Sequence, residues 1–232
     1  MTRLFFVAAF CAVTALHAQT LLLFPFPQTR PVLSLRLLHI LPNLGAAPLF
    51  DGAMDVTVNV PTDQRFNAVA SIALTNDSRL TGNTVAFGNA FIGMQVAADS
   101  LRRTVATIGI YLPTSPYEES SAIPLYVNRY EIQRYARRYT TAYFNVAREF
   151  VQGKDYTVHG ELGTMYLAAG HRGDTSTVSV HYGIGAGTGN QDIQCTFEYA
   201  GMVSVAKSFL GLGNNRFLHF ICLGATYMGK HV

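Results

Sequence analysis

Five ionisable residues, Glu149, His159, Glu161, His181 and Glu198, lie on the polar side of successive segments in which polar and apolar residues alternate. Alternation with a period of two sends neighbouring side chains to opposite faces of a strand, so the five point the same way from four consecutive strands. Carboxylates beside imidazoles in a confined space can exchange protons, hold a cation, or pair with Arg65 and Arg103, which share that side. The plainer expectation is a hydrogen-bonded network that fills a narrow interior, with no catalytic residue among them. Ser179 sits two residues before His181, with Glu161 and Glu198 on neighbouring strands, so a hydroxyl, a base and an acid are present. No strand-to-helix nucleophile elbow accompanies them, and a wet strand face would show the same residues.

A second group of residues lies in the long segment from Pro113 to Arg138. The spacing of Ile132, Tyr135 and Tyr139 predicts a short amphipathic helix over Glu131–Tyr139, with Arg134, Arg137 and Arg138 elsewhere around the turn. Those arginines could make bidentate contacts to lipid phosphates at an outer surface, or the helix could fold inward and narrow a pore; a solvated loop with no partner is as good a reading as both together. Cys195 and Cys222 both fall on expected strands near the C-terminus, where a cross-strand disulfide is one outcome and two separate thiols the other. No Cys/His spacing suggests a metal, and Gly183, Gly185, Gly187 and Gly189 precede no helix, so they form no phosphate cradle. No cofactor is expected. Arg172-Gly-Asp174 is read as a chance tripeptide.

The elements that would carry these groups are strands. Met54, Val56, Val58 and Val60 alternate with Asp55, Thr57 and Asn59, and the same pattern returns over 65–75, 106–112, 142–150, 156–162, 177–184 and 193–199. Less regular strands are expected near Gly88 to Ala97 and Arg216 to Met228, with a weak first one at Pro31 to Ile40. The total is about ten, with eight as the alternative. Turn-rich connections at Pro61–Gln64, Ala98–Arg102, Gln152–Asp155 and Gly187–Gln191 interleave with longer ones. Short and long connections therefore fall at opposite ends of an antiparallel sheet.

Of the 232 residues only 13% are charged, while mean hydropathy is +0.20. Ordinary soluble domains carry roughly 25% charge. Here the polar faces are mainly Thr, Ser, Asn, Gln, Gly and Tyr, and no segment beyond the N-terminus is long and apolar enough for a membrane helix. A net charge of +3 argues against a nucleic-acid partner. The N-terminus reads as an export signal: Arg3, an apolar run from Leu4 to Leu16, and Ala18 before the cut, leaving residues 19–232 as one domain.

With these features in hand, the chain resembles small bacterial outer-membrane β-barrels of porin-like or transporter-like kind. The resemblance is carried by the signal Met1 to Ala18, Phe87-Gly-Asn-Ala-Phe-Ile-Gly-Met94, Ile108-Gly-Ile-Tyr-Leu-Pro-Thr114 and Tyr182-Gly-Ile-Gly-Ala-Gly187. It implies an antiparallel transmembrane barrel in the outer membrane of a Gram-negative cell, in contact with outer-membrane lipids and acting as a narrow channel, a pore for small solutes or a structural envelope protein. A barrel enzyme acting on envelope lipids is the second reading, and a soluble secreted sandwich or lipocalin-like binder the third. Barrels of this class usually end on an aromatic residue, whereas this chain ends Tyr227-Met-Gly-Lys-His-Val232.

Overall fold

The computed structural model describes residues 31–39, 52–77, 84–101, 103–115, 133–134, 136, 138–152, 156–171, 175–189, 193–205 and 217–227. The export signal, Arg137 and Arg172-Gly-Asp174 lie outside them. Eleven strands follow in chain order: β1 (Val32–His39), β2 (Gly52–Pro61), β3 (Phe66–Asp77), β4 (Thr84–Phe87), β5 (Ala90–Ala97), β6 (Thr104–Leu112), β7 (Tyr139–Gln152), β8 (Tyr156–Ala169), β9 (Thr177–Gly189), β10 (Ile193–Ser204) and β11 (Phe217–Tyr227). They form one antiparallel sheet in the order β1-β2-β3-β5-β6-β7-β8-β9-β10-β11, with the four-residue β4 attached to β3 beside this path. Every strand on the path pairs with its neighbour in sequence, as hairpin connections demand. Among the described residues no ladder joins β1 to β11, so the sheet is open.

The alternation seen in the sequence becomes alternation of burial. On β8 the pattern from His159 to Leu167 is strictly buried at odd positions and open at even ones, except that Gly160 is half-buried. The buried side is the polar one. Asp55, Asn59, Asn67, Gln95, Asn145, Ser179, His181 and Glu198 are buried, while Val58, Ile92, Met94, Ile108, Ile110, Phe144, Leu162, Val180, Ile184 and Phe197 are exposed. This inverts the usual soluble arrangement, in which charged and amide side chains stay wet.

A flat sheet without a second layer cannot bury one of its faces, so this one bends around its polar side. Contacts between strands that are not neighbours follow from the bend. The Tyr143 ring of β7 stacks on His181 of β9 at 5.3 Å, and Asn59 of β2 donates from Nδ2 to Gln95 Oε1 of β5 at 2.7 Å. The strand ends that few residues separate in the chain, Pro61 and Phe66, Ala97 and Thr104, Gln152 and Tyr156, and Gly189 and Ile193, all fall at one end of the sheet.

Ten strands lie on the sheet path, and the four-residue Thr84–Phe87 beside it, too short to carry a periodic signal, makes eleven among the described residues. One expectation is corrected and one open alternative is decided. No helix forms over the described part of 131–139: Gln133 and Arg134 make a single 3₁₀ turn, Arg138 adopts a φ of 64°, and Tyr139 already opens β7. Cys195 is a free thiol; it pairs with Ala225 while Cys222 pairs with Glu198. That offset of three residues is about 10 Å along the strand, beyond the roughly 7 Å limit between bridged Cα atoms.

Candidate functional site

The interior of β7 to β10 holds most of the ionisable residues that the alternation singled out. His159, Glu161, His181 and Glu198 are all buried on the inner face. His159 Nε2 lies 3.5 Å from Glu198 Oε1, across the intervening β9. The space for this contact is supplied by Gly185, which stands opposite both residues in the register; a Cβ there would meet the His159 ring and the Glu198 stem. A second glycine, Gly163, stands opposite His181 and leaves room for its ring. His181 in turn stacks on Tyr143, which packs edge-on against Phe91 and Tyr111, each with centroids 6.0 Å away.

Polar contacts close around this cluster. Asn145 Nδ2 donates to Glu161 Oε2 at 3.1 Å, and the Thr177 and Ser204 hydroxyls share a hydrogen bond of 3.3 Å. Ser179 and His181 are fully buried on the same face of β9, but Ser179 Oγ has no hydrogen-bond partner among the described residues. An imidazole next to a carboxylate can hold or pass a proton. Among the described residues no group of three His, Cys, Asp or Glu side chains could hold a metal ion.

The interior of β2 to β6 is built differently. Asn67 Nδ2 donates to Asn59 Oδ1 at 2.6 Å, Asn59 Nδ2 to Gln95 Oε1 at 2.7 Å, and Gln95 Nε2 to Thr107 Oγ1 at 3.4 Å. This uncharged chain crosses β3, β2, β5 and β6. Beyond it Asp55 of β2 pairs with Arg134 at 3.3 Å, both side chains almost wholly buried. Arg134 reaches this position because Asn89, just before β5, holds its segment. The Asn89 side-chain amide donates to the carbonyls of Gln133 (3.0 Å) and Ala136 (2.8 Å), and the Asn89 backbone amide donates to the Arg134 carbonyl at 2.6 Å. Asn89 Oδ1 also accepts from the Ser115 amide. The segment before β7 therefore turns inward, with Gln133, Arg134 and Ala136 buried.

Other expected site residues fall elsewhere. Arg65 is exposed in the 62–65 connection, and Arg103 is half-buried before β6; neither joins the buried His/Glu cluster. The Arg103 amide donates to Asp99 Oδ1 at 3.0 Å, and its carbonyl accepts from the Glu149 amide at 2.8 Å. Glu149 is half-buried at the same end of the sheet, opposite His159. Arg134 is not an outer-surface residue, since its guanidinium meets Asp55 inside. Arg138 carries its positive φ at the entry to β7, and its carbonyl accepts from the Gly170 amide at 2.8 Å.

Asp99 caps the turn between β5 and β6 by accepting from the Arg103 and Thr104 amides, at 3.0 and 2.7 Å. The backbone hydrogen bond from Arg103 leads the effects that hold its carboxyl below the usual carboxylate range. Sequence reasoning missed Asp55, Asn59, Asn67, Gln95 and Asn89. For Asp55 a signal existed: a lone acid on the wet side of a regular strand needs a cation once that side is buried. The chain matches no known family model, no curated protein and no solved structure.

Proposed function

We propose that this chain is a small outer-membrane β-barrel with an occluded interior, serving a Gram-negative envelope as a structural protein or a tightly restricted channel. The observation that carries this reading is the inverted polarity of the sheet. Amides, imidazoles and carboxylates are buried inside the bend while Val, Ile, Leu, Met and Phe side chains face out. In water that surface would be an aggregation hazard, whereas in a bilayer it is the face that lipid requires.

Two further features support the reading. The ten strands on the path run 8 to 14 residues, around the 9–11 a tilted membrane strand needs. The ordered path has an even number of strands, so β1 and β11 run antiparallel and could close an up-and-down barrel against each other. The buried Gln133, Arg134 and Ala136, the amide chain and the aromatic stack all stand in the space a passing solute would need.

The test is fractionation of the mature protein. Recovery in the outer membrane, with a folded form that migrates differently in detergent gels before and after heating, is expected. Full recovery in a detergent-free periplasmic extract would overturn the reading. Planar-bilayer recordings should show little or no conductance for the native chain. The barrel-enzyme reading rests on the buried His159–Glu198 pair beside Ser179 and His181; lipid turnover lost on Ser179→Ala or His181→Ala would favour it over a structural role.

A further inference from the structure

Resting on the membrane reading, we infer that the outward face of β7 to β9 binds one phospholipid, its phosphate on Arg148 and an acyl chain in the cleft beside it. Among the described residues, Arg148 is the one charged side chain at the outward positions of β2 to β10. It is exposed, and no carboxylate among the described residues is paired with it. An isolated guanidinium on a lipid-facing surface is unfavourable without an anion. Phosphate is the anion a bilayer offers, and a guanidinium fork suits it.

The surface next to Arg148 is shaped for the rest of such a molecule. Opposite Arg148 on β8 stands Gly160, and opposite Gly160 on β9 stands Ile184. With no side chain at Gly160, the row has a gap, and the ring of Phe150 leans across it; a Cβ at Gly160 would come within 2.9 Å of that ring. Phe150 is the extra residue of the bulge between Glu149 and Val151, which frees its ring from the regular pleat. The result is an open apolar cleft of about 640 Å³, walled by Phe144, Val146, Leu162, Val180 and Ile184. Ligand clefts are commonly about 300–1,000 Å³.

The order of these groups along the strands matches a lipid lying in a leaflet. Arg148 pairs with Thr104, the first residue of β6, so it lies near the end carrying the short connections. Val146 and Leu162 lie one row further in, and Phe144, Thr164 and Val180 two rows further, roughly 13 Å from Arg148 by strand rise. Thr164 adds no unpaired polar group, because its hydroxyl donates to the Ser179 carbonyl at 3.2 Å. Cation towards the rim and hydrocarbon towards the centre is the polarity of a phospholipid in the leaflet on that side.

Native mass spectrometry of the detergent-solubilised full chain tests this, with dioleoyl phosphatidylglycerol as probe and dioleoylglycerol, which lacks the phosphate, as control. The native protein should retain one phosphatidylglycerol and prefer it to dioleoylglycerol. Arg148→Gln should weaken phosphatidylglycerol binding by at least about tenfold while leaving dioleoylglycerol unchanged, and Arg148→Lys should fall between. Gly160→Leu, which fills the cleft, should weaken both. Equal binding of phosphatidylglycerol by the native chain and Arg148→Gln, or no preference over dioleoylglycerol, overturns the lipid site while a heat-modifiable folded form upholds the barrel. Absence of that folded form, with the protein soluble without detergent, overturns the barrel reading and the lipid site with it.

Discussion

The two halves of the interior solve the same problem in different ways. Under β2 to β6, Asn59, Asn67, Gln95 and Thr107 hydrogen-bond in a chain without a formal charge, and the Asp55–Arg134 ion pair ties in the segment before β7. Under β7 to β10 the contacts are His159 with Glu198 and Asn145 with Glu161, with His181 seated between Tyr143 and Gly163. The first half is chiefly an amide fastening. The second carries imidazoles beside carboxylates, the groups able to exchange a proton.

The largest effect that would test this contrast is expected at the ion pair. Asp55→Ala or Arg134→Ala removes one half of a buried ion pair and should cost about 3–5 kcal/mol, read as a fall in the urea midpoint of the folded form in detergent. Combining Asp55→Leu with Arg134→Met should recover most of that loss. A cost well below 1 kcal/mol for either single change would show that Arg134 does not fasten the inner segment. Asn59→Ala removes the central link of the amide chain and takes one buried hydrogen bond each from Asn67 and Gln95, so about 2–3 kcal/mol should be lost in the same assay, independent of pH between 5 and 8.

Under β7 to β10 a smaller loss is expected. Glu198→Gln keeps the shape and removes the charge facing His159; it should cost about 1 kcal/mol in the same assay. A loss as large as that of Asn59→Ala would erase the distinction between the halves. The smallest effect belongs to neither half but to the exposed turn at Asp99. Its folded carboxyl titrates below its unfolded value, so its contribution is present above the ordinary carboxylate range and fades as pH falls through the lower, folded value. Amide exchange at Arg103 and Thr104 should accelerate there before the strands open; unchanged protection would remove the cap from the account.

Strand positions were legible in the sequence because one wet and one greasy face impose a period of two, as at Met54–Val60 and Ala142–Phe150. The same period put His159, Glu161, His181 and Glu198 on the buried side. It could not place Arg134: the spacing of Ile132, Tyr135 and Tyr139 imitates a helix, and the capture of this segment by Asn89 depends on a residue 45 positions away. Nor could it pair Cys195 with anything, since periodicity fixes a face and not a register. Arg148 was legible and passed over, a charge standing in the apolar series Ala142, Phe144, Val146 and Phe150. The bulge at Phe150 left no mark on that series, because its ladder skips a residue only on one side.

The glycines under the histidines bear on how such a sheet assembles. Sliding β9 past β8 by two residues keeps every polar group inside and every apolar group outside, so binary pattern alone cannot forbid the slip. The two strands, however, interlock reciprocally: β8 offers His159 to Gly185 and β9 offers His181 to Gly163. After a two-residue slip His181 would face Met165 or Glu161, where its ring has no socket. A pair of missing side chains thus works as a vernier, selecting one alignment among several that hydrophobicity would accept.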